Sequence, residues 1–465
     1  MGGRRWLFAL FAAVSLLHLV PVWRVRLIPT VDGPSHLYNA VVLRELAAGT
    51  PEFARVFAVN TRPNPNWLGH ALMFLFLFVA KPLVAEKLLL SLIILLFLGG
   101  CWRLGGAYAF LAMPLTFHLL LQMGFYNYSL AVALMLHAIA SWWHRERGWV
   151  TGLWMLFCAL AHPLPAAAAI VFITIAWLTT DRRWPRLLPL IAPAIILILF
   201  FAQPNRPGGD WTWKGALLFS PLYRVMVLWT FDPRQLTFGL VLFLVYAALI
   251  AATIAMDGLR TSPTLFLLLA AVSVVMFLAA PVSVQEGFLL KARLLIFPYL
   301  LILPWLTPRL ARWPLAVALA IVAVANVVYI RDCWKRNEKV MQGALAPFAA
   351  AAPGRTLLPL VADHTTPYSH LPFLSHVVSY AAAEHRLVDL GNYEAEQTYF
   401  PVVFRPGLRR PPIIDVEMKP AEIDAGAYDA DYVYTWKLPR RSFPHYDVIA
   451  ESGDARLYAR KAQTR

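Results

Sequence analysis

The sequence predicts a mostly α-helical, polytopic membrane bundle of about eleven spans, with a small extracytoplasmic α/β domain at its C-terminus. Of the 465 residues, 59% are hydrophobic and only 14% are charged, whereas soluble domains are about a quarter charged. Apolar runs of roughly 15–20 residues, close to the length that crosses a bilayer as a helix, recur as far as Ile330. From Arg331 the composition is ordinary. We therefore predict a membrane domain over residues 1–330 and an outer domain over residues 331–465.

The first apolar run, WLFALFAAVSLLHLVPVW, follows a short basic start. No small-x-small cleavage site separates it from Asp32, so we expect an uncleaved span rather than a signal peptide, with the N-terminus in the cytoplasm. Residues 24–66 then form the first outer loop. Within this loop HLYNAVVLRELAAG, which ends at Gly49, has helical spacing and predicts a short helix along the membrane surface.

Short basic loops set the predicted topology, because Lys and Arg accumulate on the cytoplasmic side. The loops HRERGW, DRRWPR, DGLR and TPRLARW are accordingly expected in the cytoplasm. This requires one pair of apolar segments before Asp181 to be merged, re-entrant or surface-lying. The pair is either the two segments around His162, joined as one span kinked at HPLP, or 67–80 with 84–100. After the first span, the predicted apolar segments are 67–80, 84–100, 107–122, 127–143, 149–161, 163–179, 186–202, 236–256, 262–280, 293–306 and 313–330.

The outer domain alternates extended and helical patterns. RTLLPLVAD and DADYVYTW are strand-like, HVVSYAAAEHRLV is helical, and YDVIAESGDARLYARK predicts a hairpin that turns at Ser452-Gly453. The net charge of +15 lies largely in interhelical loops, so it indicates membrane topology and no nucleic-acid partner. No P-loop, GxGxxG, CxxC or zinc spacing occurs, and no nucleotide or other cofactor is predicted.

The stretch PTVDGPSHLYNA places Asp32 and His36 at the exit of the first span. Helix capping by Asp32 or Ser35, with Pro34 in the first turn, is one explanation. Capping does not explain why an acid and an imidazole occur together there. Because ionisable groups beside a membrane are functional candidates, we predict a catalytic role for Asp32, with His36 beside it.

Polar groups also occur at Asn66 and His70, which share one helix face, and at Asn127 and His162, which lie among apolar residues. Each is either a substrate-binding group or a hydrogen-bonded interior group. For Asn127, hydrogen bonding between helices is the better explanation. If Asn127 and His162 face outward, they would line the same cavity as Asp32.

The segment VQEGFLLKARLLIFPYLLILPWL places Glu286, Lys291 and Arg293 at the predicted outer end of a span. Basic side chains there either bind a lipid phosphate or extend to ordinary head groups, and Glu286 can pair with Lys291. We predict a phosphate role for Arg293, because its planar fork suits phosphate.

In this layout the chain resembles the GT-C glycosyltransferases. The resemblance rests on the acid after the first span, the long first outer loop, the many spans, an outer Arg before FPYLLILPWL and the C-terminal outer domain. The most similar branch holds the bacterial relatives of protein O-mannosyltransferases and the lipid A aminoarabinose transferase. Many members carry two adjacent acids in the first loop, whereas Gly33 follows Asp32 here, which leaves His36 as the helper.

The resemblance implies transfer of a sugar from a polyprenyl-phosphate donor to a lipid, glycan or protein acceptor, in the bacterial inner membrane with the site outside. Asp32 is implied as general base or acceptor-orienting acid, and Arg293 as the donor-phosphate residue. The acidic metal pair of the oligosaccharyltransferase branch is not evident, so no required metal is expected. Such a donor carries its own leaving group. The enzyme must supply a carboxylate that accepts the acceptor's proton, a cation for the departing phosphate and an apolar groove for the polyprenyl chain.

Two other functions use similar features. A cell-surface glycan ligase or polymerase would use the same kind of lipid-linked donor. A transporter would place paired charges or broken helices near the bilayer midplane and show internal repeats. No repeat is visible, and the ionisable residues cluster towards one predicted face.

The topology is tested by labelling single introduced cysteines in intact cells. We expect HRERGW, DRRWPR and TPRLARW to be protected from an impermeant reagent, and residues 331–465 to be labelled. Labelling within DRRWPR would contradict the predicted map.

Overall fold

The computed structural model describes residues 2–62, 64–202, 234–259, 263–281, 289–310 and 313–461. Its contacts divide the chain into two compact units. Unit 1 comprises Met1–Pro21, Ser91–Gln122 and Tyr126–Ile330, and unit 2 comprises Val22–Leu90, Met123–Phe125 and Arg331–Arg465. The first outer loop thus groups with the C-terminal residues, whereas the predicted division assigned it to the membrane domain.

The described chain is mostly helical. In chain order its α-helices are α1 Gly2–Leu17, α2 Val20–Arg24, α3 Gly33–Ala47, α4 Pro51–Val56, α5 Leu68–Phe76, α6 Pro82–Gly105, α7 Leu119–Gln122, α8 Tyr126–Trp143, α9 Gly148–Ala161, α10 Pro163–Thr179, α11 Ile191–Phe201, α12 Arg234–Asp257, α13 Thr264–Ala279, α14 Leu290–Leu294, α15 Ile296–Leu301, α16 Trp313–Leu345, α17 Val378–His385 and α18 Ile413–Met418. The strands are β1 Phe57–Val59, β2 Thr356–Val361, β3 Val388–Asp389, β4 Val402–Phe404, β5 Tyr432–Trp436, β6 Tyr446–Ser452 and β7 Ala455–Arg460.

Within the described residues, five helical stretches are long and apolar enough to cross a bilayer. They are Arg5–Arg24, Pro82–Gln122, Trp184–Phe201, Thr237–Asp257 and Trp313–Ala350. Three shorter apolar helices accompany them, at Gly148–Ala161, Pro163–Thr179 and Thr264–Ala279. The chain is an integral membrane protein, while the number of about eleven spans stays a prediction.

Three predicted apolar segments are interrupted. His162 is extended (φ −162°, ψ 135°) and separates α9 from α10, so HPLP joins two helices and does not kink one. Residues 106–117 form a 3-10 helix that contains Pro114 and begins at Gly106 with a φ of +53°. Residues 290–305 are divided among α14, α15 and the 3-10 turn Leu303–Trp305. Proline lacks the amide that continues an α-helix, and prolines lie in each of these breaks.

The α/β pattern predicted for the C-terminal region is confirmed. One five-stranded sheet in unit 2 has the order β3-β2-β5-β7-β6, with β3, β2 and β5 parallel and β7 and β6 antiparallel to their neighbours. The β6–β7 hairpin turns where expected, with Gly453 at a φ of +57°. The central strands β2 and β5 are almost completely buried, as is usual for strands covered on both faces. A second, unpredicted sheet pairs β1 with β4.

Helix α3 forms where a helix was predicted, and nearly all its residues are buried in unit 2. Its position along the membrane surface stays a prediction. The helix packs against α5 and α17, and its polar side chains have protein partners. The Tyr38 hydroxyl donates to the Leu387 carbonyl (2.9 Å) and accepts from the Asp389 amide (2.8 Å). Glu45 forms an ion pair with Arg386 at 2.6 Å. These partners lie about 340–350 positions away in sequence, beyond the reach of any local pattern.

Candidate active site

Asp32 occupies the N-cap position of α3 but does not cap it. Its backbone is at φ −94° and ψ −12°, a proline follows within the first turn, and its carboxylate accepts no capping hydrogen bond. Among the described residues, the buried Ser35 hydroxyl also has no hydrogen-bond partner. Helix capping, the alternative explanation for this acid, therefore does not account for the position of its side chain.

The Asp32 carboxylate instead faces two residues of the C-terminal region. Its Oδ1 lies 3.6 Å from Nε2 of His376, and the carboxylate is hydrogen-bonded to Tyr393. The His376 ring stacks on the Tyr393 ring, with centroids 4.3 Å apart. The Asp32 side chain is 17% exposed. The carboxylate is thus held in place and still reachable by a small group.

Burial raises the pKa of Asp32 to about 7, opposed by His36 and reinforced by the negative charge of Glu394. Burial also lowers the pKa of His376 to about 3, so His376 is neutral at pH 7. A carboxylate whose pKa lies near the working pH suits general-base chemistry, because a large fraction of it is deprotonated and that fraction is strongly basic. The pair therefore provides a proton acceptor beside an uncharged hydrogen-bonding ring.

The backbone of Asp32 is fixed by a glycine turn at residues 123–125. The Asp32 amide donates to the Met123 carbonyl at 3.1 Å. Gly124 has a φ of +83°, and a Cβ there would lie 2.6 Å from the Asp32 nitrogen and 2.5 Å from the Gly33 nitrogen. Glycine is required at this position both for its backbone conformation and for space.

A second group of side chains lies one helical turn further along α3. His36, His70 and Glu394, here called the histidine–glutamate cluster, come from α3, α5 and the 3-10 turn Tyr393–Glu396. His36 Nδ1 is 2.6 Å from Glu394 Oε1, His70 Nε2 is 3.1 Å from Glu394 Oε2, and the two ring nitrogens are 3.2 Å apart. Their side chains are at most 5% exposed, so the cluster is an interior one.

Charge in the cluster is balanced locally. Burial alone would raise the pKa of Glu394, but the two histidines outweigh it and lower this pKa to about 2. The pKa of His36 is raised, since its ion pair with Glu394 outweighs burial. Asn39 donates to Glu394 Oε2 at 2.8 Å and exchanges hydrogen bonds with Asn392. Glu394 is therefore charged at neutral pH, and three other side chains hold it.

Asn66 supports the cluster through its backbone. It has a φ of +103°, and its backbone hydrogen-bonds the ring of His70. The four-residue spacing that suggested a shared face thus corresponds to a direct contact. Glu286 lies outside the described residues.

Four predicted site residues, Asn127, His162, Lys291 and Arg293, belong to unit 1. Arg293 Nη1 lies 2.7 Å from His162 Nε2, and the Tyr128 hydroxyl donates to the Arg293 carbonyl. Asn127 is buried in α8.

Lys291 Nζ donates to the carbonyls of Phe277 (3.1 Å) and Leu278 (2.9 Å). Lys291 thus satisfies the last carbonyls of α13 as a helix C-cap.

The sequence did not identify His376, Tyr393 or Glu394. These three residues come from the C-terminal region, for which the sequence predicts no site residue. One signal was present: the polar run GNYEAE follows directly after the short parallel strand β3. Ligand-binding residues commonly follow the carboxyl ends of parallel strands.

Comparison with known proteins supports the fold only. No protein-family model matches the sequence, and no curated protein matches it. Among solved structures, the cryo-EM structure of the arabinofuranosyltransferase AftD from mycobacteria matches with a TM-score of 0.51 at 14% sequence identity. The match covers 99% of this chain and 40% of that one, so the chain spans less than half the length of that protein. The chain therefore shares its fold with the matched part of that arabinofuranosyltransferase.

The glycine turn is tested by comparing Gly124→Ala with Gly49→Ala. Both glycines have a positive φ, but a Cβ at Gly49 would meet nothing within 4 Å. Both variants should incur a left-handed backbone strain of about 1–2 kcal/mol, and Gly124→Ala should lose about 1–3 kcal/mol more through overpacking. Thermal unfolding of the purified protein in detergent measures the difference. Equal stability of the two variants would contradict the conclusion that position 124 has no space for a Cβ.

Proposed function

We propose that the protein is an integral-membrane glycosyltransferase that moves a sugar from a polyprenyl-phosphate donor to an acceptor hydroxyl on the extracytoplasmic side. The GT-C-like fold supports this class of reaction. The observation that carries the proposal is the Asp32 carboxylate, which is partly exposed at the start of α3 and contacts Tyr393 and His376 instead of capping the helix. The membrane is that of the bacterial cell, and the acceptor is a lipid, a glycan or a protein.

In the proposed reaction Asp32 removes the proton of the acceptor hydroxyl as its oxygen attacks the anomeric carbon. The bond from that carbon to the phosphate oxygen breaks, and polyprenyl phosphate leaves with the electron pair. Tyr393 and neutral His376 hold the carboxylate in one orientation. Positioned proton transfer of this kind contributes typically 100–10,000-fold to a rate.

Arg293 supplies the cation for the donor phosphate in this proposal. A guanidinium offers parallel donors that match two phosphate oxygens, whereas an ammonium acts as a point charge. His162, at 2.7 Å from Nη1, restricts the side chain. The bond from Tyr128 to the backbone carbonyl fixes the residue itself. Charge that develops on the leaving phosphate is thereby met by a preorganised donor group.

Asp32→Asn should give an abundant, folded protein whose transfer rate falls by about 100–10,000-fold, because an amide cannot accept the proton. The assay supplies proteoliposomes with radiolabelled arabinofuranosyl, aminoarabinosyl or mannosyl polyprenyl phosphate and measures the polyprenyl phosphate released. Asp447→Asn, at a side chain that is 70% exposed, is the matched control and should keep full activity. Near-normal turnover by Asp32→Asn would remove this acid from the chemistry.

Arg293→Ala should raise the KM for the donor strongly, and Arg293→Lys should restore only part of the lost affinity, since lysine lacks the fork. Arg309→Ala, at an exposed guanidinium, is the control. Donor kinetics in the same proteoliposomes separate the three variants. If alanine, lysine and arginine at position 293 give equal kinetics, the donor phosphate is bound elsewhere.

A further inference from the structure

The histidine–glutamate cluster has the composition and spacing of a metal site. Two imidazoles and one carboxylate are a common ligand set for zinc with a fourth position left open. The nitrogens of His36 and His70 are 3.2 Å apart, and His70 Nε2 is 3.1 Å from Glu394 Oε2. With zinc bonds of about 2.0–2.1 Å, ligand atoms at tetrahedral corners lie about 3.3–3.4 Å apart. A small cation therefore fits with minor adjustment.

The hydrogen bonds around the cluster favour a cation between these atoms. The His70 ring is bonded to the backbone of Asn66, and because Nε2 faces the cluster this bond uses Nδ1–H. Nε2 is therefore the ring nitrogen that lies beside His36 Nδ1 (3.2 Å) and Glu394 Oε2 (3.1 Å), and it is the one that an ion would use. Histidine ligands of metals usually donate their other N–H to a carbonyl or carboxylate in this way. Glu394 is likewise oriented by the amide of Asn39.

Glu394 Oε1 adds a further observation. It is fully buried, and it forms the short ion pair with His36 Nδ1 at 2.6 Å. A buried carboxylate oxygen is costly when it is not hydrogen-bonded or bound to a metal. This separation is that of a short charge-assisted hydrogen bond, so the two atoms would move about 0.7 Å apart to become neighbouring zinc ligands.

We propose that His36 Nδ1, His70 Nε2 and the Glu394 carboxylate bind one divalent cation of the zinc class, with a water or substrate oxygen as the fourth ligand. Imidazole with carboxylate suits zinc better than magnesium or calcium, which prefer oxygen ligands alone. The proposal goes beyond the glycosyl transfer above, which requires no metal. It assigns His36 and His70 to the ion.

The ion would also position Asp32. The His36 amide donates to the Asp32 carbonyl at 3.0 Å, and Glu394 directly follows Tyr393, which is bonded to the Asp32 carboxylate. Binding of one ion by both His36 and Glu394 therefore fixes the main chain of Asp32 and one partner of its side chain. His36 and Glu394 are then positioning residues with respect to the transfer reaction.

The test is zinc binding by the full chain in lipid nanodiscs, which is independent of any glycosyl transfer. After treatment with a chelator, the wild-type protein should take up about one Zn²⁺ per chain, measured by elemental analysis and by competition with a chromophoric chelator. His70→Ala and Glu394→Gln should each weaken binding by at least about 100-fold, since loss of a direct ligand exceeds the loss of an outer partner. His370→Ala, at an exposed histidine, should bind as the wild type does.

A second variant keeps the test decisive if alanine at position 70 prevents folding. His70→Cys replaces one ligand by another, so it should retain the ion. With Co²⁺ in place of Zn²⁺ it should show a thiolate-to-metal charge-transfer band that the wild type lacks. Wild-type protein that takes up neither ion would overturn the proposal. Undiminished binding by Glu394→Gln and His70→Ala would overturn it equally.

Discussion

Burial of the Glu394 carboxylate is the constraint around which unit 2 is arranged. A carboxylate without solvent is costly unless charged or polar groups surround it. Here the compensation comes from His36 and Asn39 on α3 and from His70 on α5. Helices α3 and α5 must therefore be placed so that these polar side chains all reach the Glu394 carboxylate. The same requirement explains why α3 is buried on nearly all sides.

This arrangement gives two nearby carboxylates very different pKa values. Glu394, between two imidazoles, has a pKa of about 2, whereas Asp32, one turn away along α3, has a pKa of about 7. Separation of two pKa values by their surroundings is how active sites divide roles between like groups. Glu394 keeps its charge and holds structure together, while Asp32 can exchange a proton near neutral pH.

Local patterns predicted local structure well. The strands β2 and β5, helix α17 and the hairpin at Gly453 follow from alternation, helical spacing and turn chemistry over a few residues. The apolar helices follow from composition. The helix interruptions at Pro114 and His162 also follow from local chemistry, that of proline. The sequence nevertheless predicts a continuous segment at the first position and allows a kinked span at the second.

The candidate site could be predicted only in part, because its residues meet across the whole chain. Asp32 and His36 were found from their place beside a span, and His70 from its polar character in an apolar run. Their partners His376 and Glu394 lie more than 300 positions further on. No local pattern marks His376, and the polar run GNYEAE that contains Glu394 does not show which side chains it will meet, so the significance of both residues depends on the tertiary contacts.

The distance between Asn39 and Glu394, 355 positions in sequence, has a consequence for biosynthesis. At about 5–20 residues per second, α3 leaves the ribosome roughly 20–70 s before the segment that pairs with its polar side chains. During that interval its buried face, which includes Tyr38 and Asn39, has no native partner. The nascent chain must therefore hold this helix against the membrane or against a chaperone until its last quarter is made. The site can therefore form only after the C-terminal residues have been synthesised, however early the membrane spans insert.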